Sequence, residues 1–392
     1  SIDNSNPTTL SVTPPNQDGA EGIITLQVNK GVYWAIDQIK VRSKKVITSW
    51  YQEFLAGAEI VVNDVTIKKG SADDKVLINK EEVDLKVSLI SDDNAEIAED
   101  GLYFIGAGLN VTYKNSQNKN KVLINDSPTG EKPVVTCTNT ITLNGTSLIC
   151  KNVALKLNEN ATYRFLTINT NNAPYVAFDG CNLEVPSTAT QNAFCYASTA
   201  VAINSFTLHK SKIKIDKSTE YNIISVGKDN FVNFNSISVE NTIFYGNNAS
   251  TFKLFGVNNG NTTNAGIGSL VLRNTTFLNM HYAGYGIVNG DISTMIVKNN
   301  IIYADNNNNN VTVFRKRGNS SASLQATDGE VADNIGYIIG DFYLNLWQGD
   351  TPPLENAEKI QKLDASPFES LDKSTGTYVL KPEYQGYGAT IE

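Results

Sequence analysis

The side chains best suited to holding a ligand lie late in the chain. Arg315-Lys316-Arg317 is the one basic cluster on a candidate strand. Such a cluster suits contact with an anionic sugar, a proton-abstracting role, or simply a solvated strand end. Phe342-Tyr343-Leu344-Asn345-Leu346-Trp347 alternates, which predicts Phe342, Leu344 and Leu346 inward and Tyr343, Asn345 and Trp347 outward. An exposed aromatic face stacks on a pyranose ring, and an amide bonds its hydroxyls. Arg315, Arg317, Tyr343, Asn345 and Trp347 are therefore the candidate carbohydrate contacts. A structural cap under the C-terminal tail is the competing role for Trp347.

No residue is assigned a catalytic role. His209 and His281 stand alone, and a lone histidine is more often a packing or surface residue than a general base. Asp305-Asn306 to Asn310 lacks the spacing of a calcium loop, so no metal or other cofactor is expected. Cys137, Cys150, Cys181 and Cys195 show neither CxxC nor finger spacing and read as small apolar packing groups.

What must position these residues is a repeat. Leu270-Val271-Leu272-Arg273-Asn274-Thr275-Thr276-Phe277 recurs in outline as Ile149-Cys150-Lys151-Asn152-Val153-Ala154-Leu155 and in five further copies. The copies close at residues 155, 183, 213, 244, 277, 302 and 337, steps of 25 to 35 residues. A period of that size marks a stacked array, whose units bury their apolar faces only against their neighbours. The apolar runs are short, β-branched and aromatic, as in Asn222-Ile223-Ile224-Ser225-Val226, with Asn, Gly, Ser and Thr between them. Three strands and three turns fill such a repeat, which is one coil of a parallel β-helix. The stretches 164–168, 193–197, 222–226, 252–257, 285–289, 311–317 and 342–347 are the candidate groove strands.

Asn152, Asn241, Asn274, Asn299 and Asn334 occupy one column of the alignment, with Gly180 in a sixth copy and Lys210 in the seventh. Asn and Gly enter the left-handed region at least cost, and a bend of one or two residues needs it. Stacked amides can also bond to one another as a ladder. Lys210 predicts a local irregularity. In the preceding column the charges of Lys151, Asp179, His209, Glu240, Arg273, Lys298 and Asp333 are mostly complementary between neighbours, as a surface ladder requires.

The strand–Asn–strand phrase resembles the tight second turn of right-handed β-helices of the pectate-lyase type. Ser366-Pro367-Phe368, Gly376-Thr377-Tyr378-Val379-Leu380 and Tyr384-Gln385-Gly386-Tyr387-Gly388-Ala389 are similar to the tails of uncharacterised Bacteroidetes cell-surface lipoproteins from glycan-utilisation loci. The resemblance covers about residues 133–392. It implies an extracellular protein on the outer-membrane surface, held by a lipid anchor upstream of Ser1 whose signal has been removed. The implied partners are a polysaccharide or oligosaccharide and other outer-membrane glycan-uptake proteins. Such a compartment would also permit a Cys150–Cys181 disulfide between neighbouring coils.

Glycosidases of the resembled fold use clustered carboxylates. The candidate groove strands carry no Asp or Glu in their bodies, which argues against that chemistry. Lyases need a base beside the uronate, and only the Arg315–Arg317 cluster offers one. The leading expectation is a non-catalytic carbohydrate-binding or adhesion protein. A polysaccharide lyase or hydrolase, and a structural surface scaffold, are the alternatives.

Composition agrees with an all-β, soluble chain: 41% hydrophobic residues and no apolar run long enough to span a membrane. Forty acidic against 32 basic residues give a net charge of −8, which disfavours a nucleic-acid partner. The expected organisation is a flexible lead (1–8) and an immunoglobulin-like β-sandwich (9–126), with a short helix as an alternative at 44–55. A right-handed parallel β-helix of about seven to eight coils (133–350) follows, and a C-terminal cap (351–392) covers its open end.

Overall fold

The computed structural model describes residues 2–3, 11–12, 21–30, 33–42 and 46–391, apart from the segments 115–119, 158–163, 170–172, 189–192, 198–200, 217–220, 227–230, 247–251, 258–263, 280–287, 306–309, 315–324 and 348–349. The chain divides into two units, Ser1–Ser49 and Trp50–Glu392. In the first, Glu21–Lys30 pairs antiparallel with Tyr33–Arg42, and Ile2–Asp3 pairs with Ser11–Val12.

The second unit opens with a helix, Trp50–Leu55, and a four-stranded antiparallel sheet: Ile60–Val62, Val65–Lys69, Lys75–Ile78 and Glu81–Asp84. From Lys86 the chain enters long parallel sheets. The first face has ten strands, from Lys86–Ile90 to Ala326–Ala332. The second has eleven, from Glu96–Ile97 to Gln361–Lys362, and the third has five, from Ile141–Leu143 to Phe252–Val257. The chain visits the faces in turn. Leu148–Lys151, Ala154–Leu157 and Leu166–Ile168 lie on the first, second and third, and Ala173–Asp179 then pairs in parallel with Leu148–Lys151. This progression is compatible with a parallel β-helix.

Two expectations need correction. The sandwich expected over 9–126 does not form, because Lys86–Ile90, Gly101–Ile105 and Lys121–Asn125 already belong to the first face. These early coils lack the Asn phrase and so gave no copy of it. Their alternation misled because strand alternation does not distinguish parallel from antiparallel pairing. Segment 285–289 is the second correction: its residues 288–289 begin a strand of the first face, Val288–Lys298, not the third.

One core runs through the stack. Leu148 and Cys150, Val176 and Phe178, Phe206 and Leu208, Ile237 and Val239, and Leu270 and Leu272 point inward from successive rungs of the first face and are buried. Phe244 and Phe277 stack with centroids 5.0 Å apart. Each buried Leu, Ile or Phe contributes roughly 1.5–3 kcal/mol, and only neighbouring coils supply its contacts. The outer side of the first face is buried too at its early rungs. Leu102, Phe104, Val122, Ile124, Ile149 and Ala177 pack under Phe54 and the antiparallel sheet.

The corner between the first and second faces has a column of left-handed residues: Asn152, Gly180, Lys210, Asn241, Asn274, Asn299 and Asp333, with φ from 48° to 65°. Asn334 is not among them. Lys298 pairs with Ala332 and Ile301 with Ile335, which sets Asp333 beside Asn299 and Asn334 beside Asn300. Lys210 is not irregular either. Its φ is 49°, and its N–H donates to Glu240 O at 3.0 Å, as Asn241 N–H does to Arg273 O.

The next column along turns inward: Val153, Cys181, Ser211, Thr242, Thr275, Asn300 and Asn334, all buried. Here lies the side-chain ladder. Thr275 N–H donates to Asn300 Oδ1 at 2.9 Å, and Asn300 Nδ2 donates to Asn334 Oδ1 and to Leu272 O, both at 2.8 Å. Asn334 Nδ2 donates to Val297 O at 2.8 Å.

The tail does more than close the end. Pro353 O and Glu358 N–H bond to the edge strand Ala326–Ala332, and Gln361–Lys362 adds the last strand of the second face. Beyond that the chain turns back. The hairpin Phe368–Asp372/Thr377–Leu380 and the residues to Ile391 lie along the outside of the second face, over Ile243, Leu278, Ile301, Tyr303 and Ile335. The outward side chains there are apolar, so a tail confined to the open end would have left them in water.

Candidate functional site

The charged column beside the corner is paired along its own length and with the strand residues next to it. Lys151 Nζ lies 2.5 Å from Asp179, Arg273 Nε donates to Glu240 Oε2 at 2.9 Å, and Lys298 Nζ lies 2.5 Å from Glu330. His209 Nε2 lies 2.7 Å from Ser238 Oγ and 3.5 Å from Glu240. Burial holds the His209 imidazole below its usual pKa, with Glu240, Asp179 and Asp64 pulling the other way. Burial also pushes the Glu240 carboxyl up, but hydrogen bonds from Arg273 and Ser238 outweigh it and leave the group below its usual range. These groups hold rungs together.

Ligand geometry is better developed at the C-terminal end of the stack. Val311–Phe314 and Leu344–Trp347 pair in parallel, with Thr312 opposite Asn345 and Phe314 opposite Trp347. The predicted alternation holds through Leu346: Tyr343 and Asn345 are exposed, Leu344 and Leu346 buried. It fails at Trp347, which is 6% exposed and packs in the main core. The terminal rung needs a large apolar plug, so the indole turns in. Arg315 and Arg317 lie outside the described residues, as does His281.

Asn345 and Trp347 line a small cleft of about 100 Å³ with Leu346, Asp350, Lys359 and Ile360. Residues bearing an amide, a carboxylate and an ammonium thus line one cleft together with Leu346 and Ile360. A second cleft of about 560 Å³ lies between the edge strand Ala326–Ala332 and the crossing segment 353–358. Asp328, Glu330, Glu355 and Glu358 all line it, with Asn356 and Gln325. Glu330 is engaged by Lys298, and Glu358 accepts the Asp333 N–H at 3.1 Å. Among the described residues no group of three or more His, Cys, Asp or Glu side chains is placed to hold a metal ion.

Sequence reasoning searched only the candidate groove strands and so missed Asp350 and Lys359 of the first cleft and all four carboxylates of the second. Asp350, Glu355, Glu358 and Lys359 lie in the segment that crosses the end of the stack, and Asp328 and Glu330 on its edge strand. The break at Thr351-Pro352-Pro353 was the available signal, since a chain leaving a repeat must cross its last rung. The four cysteines are unpaired and buried, in line with packing roles. Burial pushes the Cys137, Cys181 and Cys195 thiols up to about 12, and Cys150 well above its usual value.

Comparison with known proteins finds no match: no family model, no curated protein and no solved structure aligns with this chain.

Proposed function

We propose that this chain is a non-catalytic, cell-surface saccharide-binding protein built on a right-handed parallel β-helix of the pectate-lyase-like kind. Its ligand site is the C-terminal end of the stack. One observation carries the reading: Asn345, Asp350 and Lys359 line one cleft together with Trp347. Sugar hydroxyls both donate and accept, so a site mixing amide, carboxylate and ammonium groups satisfies them without selecting for charge. The apolar residues that line the cleft take the C–H side of the ring. The neighbouring carboxylate-lined cleft favours a neutral glycan over a uronate by like-charge repulsion. Calorimetric titration with neutral oligosaccharides tests this, with Asn345→Ala and Asp350→Ala each expected to weaken binding about tenfold. Absence of binding across a broad neutral panel would contradict it and leave a structural scaffold as the reading.

The four carboxylates around the larger cleft favour glycoside hydrolysis as a second reading, since that chemistry needs two acids flanking one bond. Reducing ends released by the wild type, and abolished in Glu355→Gln, would establish it.

A further inference from the structure

The second face changes character along its length. Its later outward residues, among them Ile243, Ile301 and Tyr303, are covered by the tail. One rung before Ile243 stands Lys212, and there a cleft of about 280 Å³ opens between Lys212, Ile243 and the tail residues Thr377, Gln385 and Thr390. The next rung back carries Asn182, and the one before it Ala154. Because Ala154 is small, Lys132 reaches across it and donates to Asn182 Oδ1 at 3.1 Å. Two half-buried lysines therefore flank Asn182, Lys132 through this hydrogen bond and Lys212 as its neighbour in register.

Neighbouring cations have carboxylate partners: Lys151 has Asp179, and Lys214 has Glu184 at 3.3 Å and Asp216 at 2.8 Å. Among the described residues Lys132 and Lys212 have none. Asp179 acts on Lys132 only from a distance and is already held by Lys151. Burial, with repulsion from Lys212, keeps the Lys132 ammonium below the usual lysine range. In a chain of net charge −8, two neighbouring cations without a carboxylate partner make a local patch that attracts anions.

We propose that Lys212, which lines the cleft under the C-terminal tail, and Asn182 and Lys132 on the preceding rungs form an oxyanion site that takes the carboxylate or sulfate of a small polar ligand. Each ammonium supplies a charge-assisted hydrogen bond. Asn182 spends its Oδ1 on Lys132 and keeps Nδ2 as a donor. Thr377, Gln385 and Thr390 meet hydroxyls on the body of the ligand. The site lies on a different face from the strand that carries Asn345 and does not depend on the saccharide reading above.

The test is an NMR titration of the ¹⁵N-labelled full chain at low ionic strength, with sodium sulfate in one arm and digalacturonate in the other. Saturable shifts at Lys212, Thr390 and Ile391 are expected, about tenfold or more weaker in Lys212→Gln and in Lys132→Gln. Added salt should weaken them as well. A response to sulfate alone assigns the site to a free inorganic anion, and tighter binding of digalacturonate assigns it to an acidic sugar; both support the site. Failure of both probes to move those signals, or shifts that persist in a Lys132→Gln/Lys212→Gln double variant with an unchanged melting temperature, would overturn it.

Discussion

At the residue scale, the corner residues separate two jobs that one amino acid can do. In the left-handed column the side chain matters little and the backbone matters much. Lys210 occupies that conformation without the local bonding that makes it cheap for Asn, so Lys210→Asn is expected to stabilise by roughly 0.5–1 kcal/mol. Urea unfolding of the variant checks this through its midpoint. In the buried column the amide is what counts. Asn300→Leu orphans the Thr275 N–H and the Leu272 carbonyl, and is expected to cost about 2–3 kcal/mol by the same measurement. The cysteines, buried with raised thiol pKa, should resist a thiol reagent in the native state and all react on unfolding. His209 gives the pH dependence. Its folded pKa lies below the unfolded value near 6.5, so its contribution is present above that value and is lost as pH falls through the folded pKa. Glu240, Asp179, Asp64 and Lys210 are the charges that bear on it. Stability followed by urea unfolding should fall as the pH drops from about 7 to 5, and His209→Gln should flatten that limb.

Elements explain what the chain disclosed and what it hid. The coils from Val134 onward were legible because a corner of fixed shape demands Asn or Gly at fixed intervals. The earlier coils were hidden because they turn without that phrase, through residues such as Gly108 and Asn94. The last copy was misaligned by one place because Asp333 and Asn334 both suit a left-handed corner, and only the strand register assigns Asp333 to it. The tail's position was written in outward residues: Tyr245, Tyr303 and Tyr337 stand where earlier rungs carry Lys214 and Glu184. Aromatic side chains at solvent-facing positions of a repeat announce a cover. The tail is anchored at its far end by Asn241, whose Nδ2 donates to Thr390 O at 2.8 Å and whose Oδ1 accepts the Thr390 N–H at 2.6 Å. Tyr378 adds a hydroxyl contact of 2.7 Å with Thr276. Deleting residues 366–392 is expected to expose this strip and raise binding of a hydrophobic dye while far-UV circular dichroism changes little. A truncated chain that binds no more dye than the full one would contradict the brace.

For the whole molecule, a stack without closed ends must finish somewhere, and that is where its polar groups gather. Interior rungs are consumed by pairing with the rungs on either side. The final rung has a neighbour on one side only, and the chain must cross it to leave. That crossing segment, 350–360, brings Asp350, Glu355, Glu358 and Lys359 to the edge of the stack. The candidate site was therefore half legible: Asn345 and Trp347 from alternation within a strand, the remainder only once the path of the crossing segment is known. Trp347 also makes the site observable. The chain has three tryptophans, and Trp34→Phe with Trp50→Phe leaves Trp347 alone. Titrating that variant with a neutral oligosaccharide while recording tryptophan emission reads the cleft itself. A saturable change in intensity and wavelength is expected, shifted by Asp350→Ala to about tenfold higher ligand concentration. Saccharide binding proven by calorimetry with no change in Trp347 emission would place the ligand elsewhere and contradict the account.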